Sequence, residues 1–276
     1  MNGAEKPGVS PAFFISKYDF DFDADAALSM FPMVAALGYG AVQGEIAAQR
    51  FLRGWIDGGI EAFGAAARAE RLQVRQFVLH YLLEETAAAT RPIDAVIADI
   101  REIGERLGAL PGCDVLTIPV GPHADSREQD LSEMIQRLLP VLPSQLRIAL
   151  EALPGSSIAT PPMMAAFLAG FPPERVGVNL DTGHLWSQGI PPERMAETVG
   201  PHRVFGTHIC DNDGSVNASL TPGRGTIDWH RFFNVLADLG YEGSIDIEIR
   251  VSEREIETEY AAARAYVEPL IHTSRL

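Results

Sequence analysis

Short apolar runs alternate along this chain with longer stretches whose apolar positions recur every three or four residues. Runs rich in β-branched and aromatic residues predict strands over 12–18, 41–45, 74–80, 115–120, 147–151, 176–181, 204–210 and 244–249. Helical spacing between them predicts helices over 24–37, 93–107, 131–142, 163–168, 193–199, 229–239 and 253–266. Gly38 and Gly40 close the first of these helices, Pro92 opens the second, and Pro143 stops the third. An amphipathic region between the second and third strands is broken by Gly54, Gly58 and Gly59, so its helix bounds stay open. Strand-then-helix units repeated through 276 residues point to an α/β fold, a single (β/α)8 TIM barrel, rather than an open doubly wound sheet. One domain over residues 1–276 is the expectation. No G-x-G-x-x-G or G-x-x-x-x-G-K-[ST] follows a strand, which argues against dinucleotide and nucleotide sites.

Several of these strands end in groups that carry chemistry. The run V-G-V-N-L-D-T-G-H (176–184) delivers Asp181 to its carboxyl end, and Thr182 and Gly183 turn the chain so that His184 faces the same space. In parallel α/β sheets that end is where active sites sit. The last four strands bring Glu151, Asp181, His208 and Glu248 to one mouth of the barrel. Three carboxylates a few ångströms apart repel one another unless a cation compensates them. An oxygen-rich set with one nitrogen suits a hard divalent ion such as Mn²⁺, Mg²⁺ or Co²⁺. Each residue has a plainer reading on its own: Asp181 as a helix cap, His208 as a satisfied core group. Glu151 and Glu248 resist that reading, because burying an unpaired carboxylate is costly.

Composition narrows the partners. The chain carries 37 acidic against 22 basic residues, a formal charge of -15, and no basic stripe, so nucleic acid is not expected to bind. Cys113 and Cys210 are the only cysteines, too few for a disulfide scaffold or a zinc knuckle. The first ten residues lack a basic segment followed by an apolar one, and no apolar run approaches the roughly 18 residues that span a bilayer. A cytoplasmic protein without membrane contact is the expectation.

The C-terminal half resembles the xylose isomerase-like TIM-barrel superfamily, the sugar phosphate isomerases and epimerases and their endonuclease IV relatives. The resemblance rests on L-E-A-L-P-G (150–155), N-L-D-T-G-H (179–184), G-T-H-I-C-D (206–211), P-G-R-G-T-I-D-W (222–229) and G-Y-E-G-S-I-D-I-E (240–248). It implies that Glu151, Asp181, His208 and Glu248 bind one divalent ion, commonly Mn²⁺, and that His184 contacts substrate. Members commonly form dimers or tetramers, so a homo-oligomer is implied as well. Endonuclease IV adds an Asp-x-His zinc pair before P-G-x-G, and residues 211–220 hold no histidine, which disfavours a phosphodiesterase. Ketohexose 3-epimerases carry a further Glu and a further Arg where this chain has Ser157 and Gly214. Arg224 is a candidate to reach the mouth from its loop.

The expected function is a metal-dependent isomerase or epimerase of a sugar or polyol. Glu151 and Glu248, set on opposite arcs of the mouth, would remove and return a proton α to a carbonyl through a metal-stabilised enediolate. His184 would orient an oxygen, and His80, His123 and Glu45 are further pocket candidates, as are the aromatic residues Tyr18, Phe20, Phe22 and Tyr39. The same intermediate could expel a leaving group, as in inosose dehydratases of this superfamily, so a lyase is the alternative. A barrel serving only as a binding subunit is the reading outside enzymology, since fold does not fix function.

Overall fold

The six residues Val176–Asp181 are all buried, and their strand is hydrogen-bonded to a parallel neighbour on each side, the environment that an uninterrupted apolar run requires. The computed structural model describes residues 6–88, 91–122 and 128–274. Its strands are β1 (Gly8–Val9), β2 (Ala41–Val42), β3 (Gly44–Glu45), β4 (Gln76–Val78), β5 (Val115–Val120), β6 (Arg147–Ala152), β7 (Val176–Asp181), β8 (Val204–Ile209) and β9 (Ser244–Ile247). They are parallel throughout, in the order β2-β1-β9-β8-β7-β6-β5-β4-β3.

β2 and β3 are two halves of one crossing, separated by Gln43. The Gln43 amide donates to the Val9 carbonyl at 3.0 Å, while the Val42 amide donates to Gln73 on the other side at 2.9 Å. This segment therefore bonds to both ends of the sheet and closes it into a barrel of eight strand positions, the TIM-barrel architecture. The strands at 115–120, 147–152, 176–181 and 204–209 lie where the apolar runs predict them, within one residue.

The first strand does not. Residues Ala12–Tyr18 form a helix, and the strand is the two-residue Gly8–Val9 before it. Pro11 adopts a helical conformation at φ -56 and starts the helix, whose Phe13 and Phe14 rings pack on Tyr260 at 4.7 Å and Phe22 at 5.8 Å. Tertiary packing overrides the strand preference of the aromatic run. Gly8 is needed for proximity: a Cβ there would lie 1.9 Å from Asp246 Oδ1. The helix expected over 24–37 is also two, Ala24–Leu28 and Phe31–Ala36, interrupted where Pro32 cannot extend the first. Gly58, at φ 141, breaks the glycine-rich region, and a regular helix resumes at Ile60–Ala69. Among the described residues no helix is long and apolar enough to cross a membrane.

Immediately after β8 the buried carboxylate of Asp211 ties down the loop that follows. Its Oδ1 accepts the amides of Asn212 and Ile227 at 3.0 and 3.2 Å, and its Oδ2 accepts the Gly223 amide and the Trp229 indole N–H, both at 2.8 Å. A Cβ on Gly225 would sit 2.3 Å from Asp211 Oδ1, so P-G-R-G-T-I-D-W wraps this side chain and reads as scaffold. Asp211→Ala strands these donors in the interior and is expected to cost about 3 kcal/mol or more in urea unfolding. A loss below about 1 kcal/mol would show that the wrapped loop does not depend on this carboxylate.

Candidate metal centre

Side chains two apart on a strand share a face, so each strand end presents a pair of inward groups, one above the other. On β7 the pair is Asn179 and Asp181; across β9 and the residue after it, Asp246 and Glu248. The upper layer is Glu151, Asp181, His208 and Glu248. Each offers one ligand atom, and these atoms lie within 4.8 Å of one another. Glu151, Asp181 and His208 are 6%, 4% and 2% exposed, so water does little to screen their charges.

The lower layer orients the upper one. Gln43 Nε2 donates to Asp246 Oδ2 at 2.8 Å, which turns Gln43 Oε1 toward His208 Nε2, also at 2.8 Å. A carbonyl oxygen only accepts, so His208 Nε2 carries a proton, and Nδ1 is left facing Glu151 Oε2 at 3.0 Å and Glu248 Oε2 in still closer contact. On the other side Gln76 Nε2 donates to Asn179 Oδ1 at 3.0 Å and Asn179 Nδ2 donates to Glu151 Oε2 at 2.8 Å.

Asp181 reconciles the two readings open to it. Its Oδ1 accepts the His184 amide at 2.7 Å and caps the short helix Thr182–Trp186, while Oδ2 is buried without a hydrogen-bond partner. His208 Nδ1 and Glu248 Oε2, also buried, meet each other, and His208 Nδ1 meets the Glu151 carboxylate as well. Lone pairs that converge in a dry site fit a cation.

The electrostatics say the same. Burial pushes the Asp181 carboxyl up to about 7; His184 pulls against this, and repulsion from Glu248 and Glu151 adds to it. Burial would raise Glu151 as well, but the charge of His208 and its hydrogen bond, then His184 and the Asn179 amide, hold it at about 2. Burial disfavours a charged His208, yet Glu248 and Glu151 raise its pKa well above the ordinary histidine value. Positive charge at His208 Nδ1 is what the surrounding carboxylates require, and a proton and a metal ion compete for that place.

His184 Nδ1 stands 3.5 Å from Asp181 Oδ2 and 3.8 Å from Glu151 Oε1, at the edge of the cluster. Burial lowers the pKa of His184, but the charges of Asp181, Glu151 and Glu248 outweigh it, and the net shift is upward. A cavity of about 460 Å³ opens above the four residues; Glu45, His80, Glu151, His184, His208 and Glu248 all line it.

Other candidates fall elsewhere. Arg224 is paired with Glu259 at 2.8 Å and does not line this cavity, because the Asp211 knot holds its loop on the outer side. His123 lies outside the described residues. Of the aromatic candidates only Phe20 lines the cavity, stacked on His80; Phe22 and Tyr39 are core, and Tyr18 bonds Ser29. Glu151 on β6 and Glu248 just after β9 each bring a carboxylate oxygen to the same His208 nitrogen. Asn179 and Asp246 were legible in principle, two residues before Asp181 and Glu248; nothing in the sequence marked Gln43 or Gln76.

Comparison with known proteins agrees with this architecture. A xylose isomerase-like TIM-barrel protein from Mycobacterium smegmatis, solved in complex with magnesium, superposes with a TM-score of 0.74 at 17% identity, covering 100% of both chains. The 3-keto-D-glucoside 4-epimerase of E. coli superposes with a TM-score of 0.70 at 18% identity over 96% of this chain and 99% of that one. An uncharacterised protein of Methanocaldococcus jannaschii is 28% identical over 125 residues, which is 42% of this chain and 42% of that relative. The family described as xylose isomerase-like TIM barrel matches residues 31–270, and the chain belongs to it.

Proposed function

We propose that Glu151, Asp181, His208 and Glu248 hold one divalent metal ion, Mn²⁺ first among the candidates, and that the protein is an isomerase or epimerase of a sugar or polyol. The observation that carries the reading is the convergence of Asp181 Oδ2, His208 Nδ1, Glu248 Oε2 and the Glu151 carboxylate on one buried point, with Asp181 Oδ2 left without a hydrogen-bond partner. The magnesium in one structural neighbour and the 4-epimerase activity named for another support it. A bound divalent ion would supply Lewis-acid polarisation of a substrate oxygen.

The chain's own residues supply proton transfer and orientation. Glu151 keeps Oε1 on the side of His184, and Glu248 borders the cavity, so two carboxylates stand beside any substrate seated there. One takes the proton α to a carbonyl and the other returns one to the product carbon. His184, held by the helix that Asp181 caps, orients a substrate oxygen. The Asp246–Gln43–His208 relay keeps Nδ1 available as a donor to the metal, and the Gln76–Asn179–Glu151 relay fixes the first carboxylate.

Three expectations follow from this division of labour. Glu248→Gln weakens Mn²⁺ binding at least about tenfold in calorimetric titration, whereas His184→Ala leaves it within about threefold and lowers turnover by about a hundredfold. Metal binding that survives Glu248→Gln, or is abolished by His184→Ala, contradicts the assignment. Gln43→Leu, which touches neither metal nor substrate, lowers Mn²⁺ affinity by about 10- to 100-fold; an unchanged affinity means that the relay does not matter. Ketoses and keto-polyols incubated with the Mn²⁺-loaded protein in D₂O are expected to exchange the α-hydrogen without losing water; water loss marks a lyase instead.

A further inference from the structure

The cavity over the metal centre has two unlike walls. One is the carboxylate and imidazole cluster on β6 to β9. Facing it, Glu45 and His80 stand among the apolar side chains of Phe20, Val78 and Leu83. Glu45 lies two residues beyond Gln43, on the same inward face and one layer nearer the mouth. It is 3% exposed, lines the cavity, and its Oε2 has no hydrogen-bond partner. Burial first, then the charges of Glu248 and Glu151 against the pull of His208, drive its pKa well above the usual carboxylate value. Its buried, unpartnered oxygen is left to form a hydrogen bond with whatever fills the cavity.

His80 is the complementary group. Its Nδ1 is 3.2 Å from the Ala47 carbonyl, which only accepts, so Nδ1 carries the proton and Nε2 presents a lone pair. Burial lowers its pKa and outweighs the neighbouring carboxylates, so the ring stays neutral near pH 7. The ring stacks on Phe20 at 4.4 Å and 19°, which fixes its orientation. Among the described lining residues Arg250 alone carries a fixed positive charge, and it is engaged by Asp19 at 3.1 Å and lies over the Phe20 ring at 5.5 Å. A buried carboxyl without a hydrogen-bond partner beside a neutral acceptor matches hydroxyl groups, which both donate and accept. A phosphate dianion would meet carboxylates on one side and an apolar wall on the other.

We propose that Glu45 and His80 form the recognition wall for the hydroxyl-bearing end of an unphosphorylated sugar or polyol, the Glu45 carboxyl forming one hydrogen bond and His80 Nε2 accepting another. The inference rests on the sugar chemistry proposed above and names its substrate class. Calorimetry of the Mn²⁺-loaded full chain with D-xylulose and D-fructose, each against D-xylulose 5-phosphate and D-fructose 6-phosphate, tests it. The wild type is expected to bind at least one neutral ketose and to bind its phosphorylated counterpart at least about tenfold more weakly. Glu45→Leu and His80→Phe, the second keeping the stack on Phe20, each weaken ketose binding by about tenfold. Glu45→Gln, which retains a hydrogen-bonding group at this place, stays within about threefold of wild type. Mn²⁺ affinity and thermal unfolding are expected to change little in all three variants. Undiminished ketose binding in Glu45→Leu and His80→Phe, or a preference for the phosphorylated sugars, overturns the recognition wall. A tenfold loss of Mn²⁺ affinity in Glu45→Gln overturns it differently, by making Glu45 a metal ligand. Wild-type protein that binds Mn²⁺ but neither ketose refutes the sugar chemistry beneath the inference, a result distinct from variants that bind as well as wild type.

Discussion

The imidazole of His208 is held from both sides, and the rest of the centre is arranged around that constraint. Nε2 is committed to Gln43, which Asp246 orients in turn, so Nδ1 must face the carboxylates of Glu151 and Glu248. An imidazole lone pair directed at two carboxylate oxygens is repulsive in a dry interior unless positive charge lies between them. The barrel supplies that arrangement at its closing seam, because Gln43 is the residue at which the second strand breaks into β2 and β3. Barrel closure and the orientation of His208 therefore depend on the same residue.

Several residues do two things at once. Asp181 caps a helix with Oδ1 and directs Oδ2 at the centre, and Glu151 accepts from Asn179 with the same Oε2 that approaches His208. The helix that Asp181 starts carries His184 back over the cluster. Such sharing helps these buried charges coexist: Glu151 and Asp181 are each held by an amide donor, and His208 by the Gln43 carbonyl oxygen, before any ion is considered. It also separates the motifs by role. N-L-D-T-G-H supplies residues of the buried cluster, whereas P-G-R-G-T-I-D-W wraps Asp211, and its Arg224 is drawn away to Glu259.

Most of the barrel was legible from periodicity. The long central strands are buried on both faces, and their apolar runs stand out against the amphipathic helices between them. The failures share a cause. β1 is two residues long and holds a glycine that Asp246 leaves no room to replace, so it has no pattern to read, while the aromatic run beside it satisfies a helix equally well. Arg224 looked available because charge and loop position are visible in a sequence, and its partner Glu259, 35 residues later, is not.

The sequence by itself determined which chemical group ends each of the last four strands, because strand side chains alternate and an acid or histidine after an apolar run has few other places to go. Tertiary structure decided which atoms of those groups meet, which histidine nitrogen is free, and which residues stand behind them. Those are properties of distance and direction between segments far apart in the chain: Gln43 lies 165 positions from His208 and 203 from Asp246, and only the closure of the barrel brings them within hydrogen-bonding reach.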